Sequence, residues 1–193
     1  MISLFPDEFS ALETTAECVK KGFDGVDAPA LLFHGLSGET APNSTRFKFA
    51  KDGENFYALF RCAYQDLPKD ISPKHGNRVY RGECVELFIG DKERYFELDV
   101  SPYGVTFWAL VLSDDTGEPQ FIEQTDGFFA KATFFDGGYD VVLTVPFSSL
   151  KQFDNLYANA FRVENTGDDR VSQSLFPTGC KFHHVPSVFK RIR

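Results

Sequence analysis

Apolar and polar residues alternate with a period of two through most of this chain, the pattern of strands, whose successive side chains point to opposite faces. The segments "RFKFA", "FYALFRCAY", "YRGECVELFIG", "RYFELDV", "GVTFWALVL" and "NLYANAFRVEN" all carry it. "FFAKATFFDGGYDVVLTVPF" carries it twice around the turn "DGG", and "KDGEN" supplies a hairpin turn after "RFKFA". Helical spacing is confined to the N-terminal "DEFSALETTAECVKK" and one turn at "PFSSL". Eight or more short strands without regularly interleaved helices predict an all-β fold. The expected form is an antiparallel β-sandwich of jelly-roll or immunoglobulin-like type with a short N-terminal helix. The 193 residues suit one domain spanning 1–193, with no repeat, low-complexity tract or linker to divide it. The polar stretch Gln65 to Arg78, with two prolines and a glycine, reads as a loop over one end of the sandwich.

Charge narrows the partners. A formal net charge of −8 repels phosphate backbones, and no run of Lys or Arg interleaved with aromatics reverses it locally, so nucleic acid is not an expected partner. The basic end "FKRIR" reads as a solvated terminus. No stretch approaches the roughly 20 apolar residues that span a bilayer, and no basic n-region opens the chain, so a soluble, cytoplasmic location is expected, with a secreted context left open. Cys18, Cys62, Cys84 and Cys180 are far apart and form no CxxC pair, which favours buried free thiols over zinc or disulfides. Of the 30 aromatic residues 22 are Phe, a side chain that brings packing area without a polar group to satisfy, so most of them belong to the core.

Strand parity sorts the polar residues by face. In "ECVELFIG" Val85, Leu87 and Ile89 share one face and Cys84, Glu86 and Phe88 the other. In "RYFELDV" Phe96, Leu98 and Val100 oppose Tyr95, Glu97 and Asp99. In "NLYANAFRVEN" Tyr157, Phe161 and Val163 share a face, with Arg162 and Glu164 on the other. Within one sheet, Glu86, Glu97 and Arg162 are then expected to converge on one surface. Carboxylates accept from hydroxyls, a guanidinium donates in a planar fork, and aromatic rings stack on a pyranose, so such a face suits a saccharide. The competing reading is an ordinary solvated face, where Glu and Arg are routine and exposed ion pairs contribute a fraction of a kcal/mol.

The ordered set "NFYALFRCAYQD", "YRGECVELFIG", "RYFELDVSPYG", "GYDVVLTVPFSSL", "AFRVEN" and "FHHVPSVFKRI" resembles the family 9 carbohydrate-binding modules and their wider relatives, from about Arg46 to the C-terminus. The resemblance implies a β-sandwich that holds a terminal sugar between two tryptophan rings, with polar groups reading its hydroxyls. Carried over by position, it places the family's strand glutamate on Glu86 and its first clamp tryptophan on Tyr80. The second clamp falls near His183, an aspartate on Asp66 and a polar amide on Arg162, while Glu97 replaces a basic residue. The only tryptophan, Trp108, is not at a clamp position and is expected in the core or on a sheet face.

Three functions follow from this reading. The first is a non-catalytic carbohydrate-binding module using Tyr80, Glu86, Arg162, His183, Asp66 and Glu97. The second is an interaction module using the same face for a protein partner. The third is a glycan-processing enzyme, for which Glu86 and Glu97 on adjacent strands could supply the carboxyl pair, about 5 to 10 Å apart, that glycosidases need. No "GxSxG" elbow supports a serine triad. No cofactor is expected beyond a structural calcium, which the resemblance implies for some members and which "ENTGDD" or "LSDDTGE" would hold. Haem would need an axial His, Met1 being the sole methionine, and His34 and His75 lack ligand spacing. The neighbours His183 and His184 point apart if extended, so one ligand suits them better than two. No feature fixes an oligomeric state.

Overall fold

The computed structural model describes residues 6–68, 79–115, 118–124, 126–166 and 169–193. Most of the expected loop Gln65 to Arg78, His75 included, lies outside these residues, as does Met1. Fifteen strands and two short helices are formed among them. In chain order the first are β1 (Glu8–Phe9), β2 (Leu12–Glu13), α1 (Ala16–Lys20), β3 (Leu31–Leu32), β4 (His34–Gly35), β5 (Thr45–Lys51) and β6 (Asn55–Ala63). A 3₁₀ turn at Val79–Arg81 leads into β7 (Cys84–Gly90), β8 (Arg94–Val100), β9 (Thr106–Leu112) and β10 (Gln120–Glu123). The chain continues with β11 (Phe129–Phe135), β12 (Gly138–Pro146), α2 (Phe147–Leu150), β13 (Tyr157–Thr166), β14 (Asp169–Ser174) and β15 (Lys190–Ile192).

Two sheets pack face to face. The larger runs β1-β15-β13-β7-β8-β9-β10, with β14 also pairing β13, and β4 pairing β14; the smaller runs β11-β12-β6-β5-β2, with β3 on β5. Pairings are antiparallel except for β1 on β15 and β2 on β5. Those two come from one N-terminal segment that crosses from the larger sheet to the smaller within a few residues. This segment corrects the expected helix: only its end, α1, is helical, capped by the Thr15 side chain accepting from Cys18 N at 3.3 Å. Phe9 and Ala11 are buried in the core between the sheets, so tertiary burial overrides the local helical spacing.

Local chemistry explains the hairpins. Asp52 closes the β5–β6 turn, its Oδ1 accepting from Glu54 N and Asn55 N at 2.8 Å each, and Asp91 does the same for β7–β8 with Glu93 N and Arg94 N. The β11–β12 loop is two residues long, with Gly137 at φ 80° where a side chain would be strained.

The main core lies between the sheets. Val85, Leu87, Ile89, Phe96, Leu98 and Val100 meet Phe47, Phe49, Phe60, Val141 and Leu143 of the other sheet. Trp108 joins this core, 5.9 Å from Phe128 between ring centres. A second apolar cluster covers the outer face of the larger sheet: Cys84, Phe88, Tyr95, Phe107, Phe161 and Val163 under Val79 and Phe189. A third covers the outer face of the smaller sheet, where α1 and the following turn bring Val19, Phe23 and Val26 onto Tyr57 and Leu59. Both sheets are therefore covered on both faces. All four cysteines are free; Cys62 and Cys84 are buried as expected, whereas Cys180 is exposed and Cys18 half-buried.

Candidate functional site

The outer face of β7 and β8 carries the unusual chemistry. Glu86 is in register with Asp99 on β8 and with Phe161 on β13, and Glu97 is opposite Phe88. Directly opposed residues share a face, so Glu86, Glu97 and Asp99 stand together on the outer side. They are not solvated: Glu86 is 2 %, Glu97 4 % and Asp99 0 % exposed. The expected alternative of an open, solvated face is corrected by the C-terminal segment, which folds over these strands.

That segment delivers two histidines. His183 stacks flat on Phe161, with ring centres 4.5 Å apart, and its Nδ1 lies 2.7 Å from Glu86 Oε2. His184 stacks on Phe88 at 5.0 Å, and its Nδ1 shares a hydrogen bond with the Tyr95 hydroxyl at 2.8 Å. Neighbours that would point apart in a strand both face the sheet because the chain turns tightly here, with Val185 N donating to the His183 carbonyl at 2.8 Å.

Burial and charge push these groups in different directions. Burial alone would raise the Glu86 carboxyl, yet the charge of His183 and the hydrogen bond with it outweigh this and hold Glu86 below the usual carboxylate range. Burial pushes Glu97 well above that range, and the Glu86 charge adds to the effect. Asp99 is raised in the same way, by burial first and then by Glu97 and Glu86. Burial lowers His184 to about 4, so it is a neutral ring near pH 7. The Cys84 thiol, whose Sγ sits 3.8 Å from Glu86 Oε1, is raised by burial and by that neighbouring carboxylate.

Above these groups opens a cavity of about 1050 Å³. Glu86, Glu97, His183 and His184 line it from the buried side, and the rings of Tyr80, Phe107, Phe121 and Phe182 line it as well. Tyr80 is 37 %, Phe121 47 % and Phe182 71 % exposed, which is costly for large aromatics unless something covers them. Glu39, Glu123, Arg170 and Lys181 supply exposed charges at the rim.

The structure thus brings together Tyr80, Glu86, Glu97 and His183 of the sequence-predicted set, and it separates two others. Asp66 is exposed beyond the end of β6 and does not line the cavity. Arg162 is a correction: it is in register with Val85 and therefore faces between the sheets, fully buried. There its Nε donates to Glu83 Oε1 at 2.8 Å, its Nη1 to Thr45 Oγ1 at 3.2 Å, and its Nη2 makes an ion-pair contact with Glu83 at 2.7 Å. The apolar side of β13 faces outward because the outer face is itself a core.

Phe121 and Phe182 were not singled out from the sequence, and His184 was weighed there only as a ligand beside His183. Phe182 adjoins His183, and its position in "KFHHVP" beside the expected clamp was the available signal; Phe121 had none, since β10 is defined only by its pairing with β9. Among the described residues no group of three or more His, Cys, Asp or Glu side chains is placed to hold a metal ion. The two acidic turns named as calcium candidates lie partly outside the described residues. No helix among them is long and apolar enough to cross a membrane.

Solved structures share this β-sandwich fold. A Bacteroides uniformis protein thought to bind carbohydrate superposes with a TM-score of 0.77 at 14% identity, over 96% of this chain and 97% of its own. A family 9 carbohydrate-binding module from Caldicellulosiruptor kristjanssonii in complex with glucose gives 0.63 at 13% identity, over 96% of this chain and 94% of that one. A family 9 module from the same organism in complex with cellotriose gives 0.61 at 15% identity, over 86% and 82%. By sequence alone, no family model and no curated protein matches the chain.

Proposed function

We propose that this protein is a non-catalytic saccharide-binding module whose ligand occupies the cavity on the outer face of the larger sheet. One observation carries the reading: exposed rings of Tyr80, Phe121 and Phe182 line the same cavity as the buried Glu86 and Glu97 and the half-buried His183. Rings that cover the apolar face of a pyranose, next to fixed groups that accept from and donate to its hydroxyls, meet the two demands a sugar makes. The shared fold of modules solved with glucose and with cellotriose supports it. In the family resemblance the second clamp ring falls near His183; here His183 is occupied by Phe161 and Glu86, so we assign the stacking to its neighbour Phe182. Calorimetric titration with glucose and cello-oligosaccharides tests the reading. Binding that is lost in the Tyr80→Ala, Phe182→Ala double variant supports it, and absence of affinity for any saccharide on a glycan array overturns it.

A second reading rests on the opposed shifts of Glu86 and Glu97. Two carboxyls lining one cavity from adjacent strands, one lowered and one raised, match the division of labour of a glycosidase. Turnover of an aryl glycoside that disappears in Glu97→Gln would establish that reading against the binding module.

A further inference from the structure

Around the cavity one polar group lacks a partner where a ligand would lie. Glu97 is 4 % exposed, lines the cavity, and its Oε2 has no hydrogen-bond partner. The nearest basic atom, His184 Nε2, is 3.7 Å away, and that ring already shares its Nδ1 with Tyr95. Beside Glu97, Asp99 is fully buried with both oxygens unpartnered. Only Glu86 has a basic partner, His183. Three carboxyl groups therefore stand on adjacent strands with one close imidazole between them to offset charge.

The remaining charged groups do not make up this shortage. Arg162, the nearest buried cation along β13, faces the other side of the sheet against Glu83. At the rim Arg170 and Lys181 stand among Glu39 and Glu123, and the charge of Arg170 acts on Glu86 and Cys84. The other titratable groups acting with Glu97 are Glu86, Asp99 and the Tyr95 hydroxyl, which burial keeps protonated. The one close cation on the buried side, His183, is thus taken by Glu86, and none pairs with Glu97. An uncharged hydroxyl brought there makes a neutral hydrogen bond. An ammonium makes a charge-assisted one, roughly twice as strong, and offsets the neighbouring carboxylate charge. Its own desolvation is compensated only by a carboxylate able to ionise beside it, which an unpartnered Glu97 provides.

We infer that the cavity takes an amino sugar, a saccharide bearing a free ammonium group, and that Glu97 receives the ammonium. This rests on the saccharide reading of the cavity and names its ligand class. On binding, the Glu97 proton passes to the buffer while the ligand nitrogen keeps its own, so that the complex holds ammonium against carboxylate.

The test is calorimetric titration of the full chain at about pH 6, where the amine is protonated and the upward shift of Glu97 favours its protonated form. The probes are glucosamine, glucose and N-acetylglucosamine. Glucosamine is expected to bind roughly tenfold or more tightly than glucose, which is about 1.4 kcal/mol. N-acetylglucosamine, its charge removed, is expected to bind no more tightly than glucose. The glucosamine enthalpy should differ between buffers of different ionisation enthalpy, showing proton release. In Glu97→Gln the glucosamine-to-glucose affinity ratio should fall to about one. Should that variant fail to fold, the buffer comparison on the unaltered chain decides alone. Glucose binding as tightly as glucosamine, or a preference without proton release, overturns the amino-sugar inference and leaves the saccharide module standing; no affinity for any of the three sugars or for cello-oligosaccharides overturns both.

Discussion

The larger sheet carries a buried polar cluster on each of its two faces, and the two are built differently. On the inner face the groups are largely paired. Glu83 accepts from Tyr139 Oη at 2.7 Å, from Arg162 Nε and from Asn165 N, and Glu164 accepts from Asn43 and from Gln173 Nε2 at 2.8 Å. Gln173 in turn accepts from Thr45 Oγ1 at 2.7 Å, tying the larger sheet to the smaller. On the outer face Glu97 and Asp99 are buried with oxygens left over. A paired buried network fixes how two sheets sit together; a partly unpaired one is tolerated where a ligand completes it. The first cluster is architecture and the second is the site.

The largest expected effect breaks this contrast at its structural end. Arg162→Ala leaves Glu83 buried without its cation and should cost about 3 to 5 kcal/mol in denaturant unfolding. The milder Arg162→Lys should lower the melting temperature yet leave sugar affinity of the folded protein unchanged. Loss of binding in a folded Arg162→Lys protein would contradict the separation of the two clusters.

Glu86→Ala works from the other side. It should reduce saccharide affinity by roughly 10- to 100-fold, the worth of a hydrogen bond to a charged group. It should destabilise less than Arg162→Ala, because the partner it leaves behind, His183, is half-buried at the cavity wall, whereas Glu83 is buried. Equal destabilisation by the two variants would mean both clusters are structural.

The pH dependence of stability separates them further. Glu97 and Asp99 keep their protons in the folded chain above their ordinary values of 4.5 and 3.8, so over that range the folded form binds more protons than the unfolded. Their contribution is fully present below those values and is lost as pH rises toward the folded ones. His184 acts oppositely: lowered from 6.5 to about 4, it makes stability fall as pH drops between those values. Glu86, held low, likewise adds stability above its ordinary 4.5 that acidification removes. Glu97 contributes a decline in stability as pH rises from its ordinary value toward its folded one, and in Glu97→Gln that decline should be shallower, as read from urea midpoints. A slope unchanged by the substitution would show that Glu97 ionises freely.

The smallest effect is at the surface. Phe182→Ala should leave the melting temperature within a degree or two while weakening sugar binding by about 0.5 to 1.5 kcal/mol, the scale of an aromatic contact. A stability loss without a binding loss would make Phe182 a packing residue.

Much of this molecule is legible as pattern. Alternation marks β5 through β9 and β11 through β13 within a residue or two, and parity correctly sorts Val85, Leu87 and Ile89 from Glu86. It fails at Arg162 for a definite reason. The side of β13 bearing Phe161 and Val163 was expected to be the core side, but the outer face is apolar too, and only the pairing of Phe161 with Glu86 shows which side faces which. At the N-terminus, two-residue strands such as Glu8–Phe9 and Leu12–Glu13 are too short for any period to register.

By itself the sequence determined the fold class, the two-faced character of β7 and β8, and the presence of acidic and aromatic residues on one of those faces. These follow from the geometry of a single extended strand, in which each side chain's face depends only on its own position. The tertiary structure alone decided that Glu86, Glu97 and Asp99 are buried, that His183 and His184 lie over them, and that Arg162 faces away. Those depend on register between strands and on where a distant C-terminal segment folds back. They are contacts between residues far apart in the chain, of which no local pattern carries a trace.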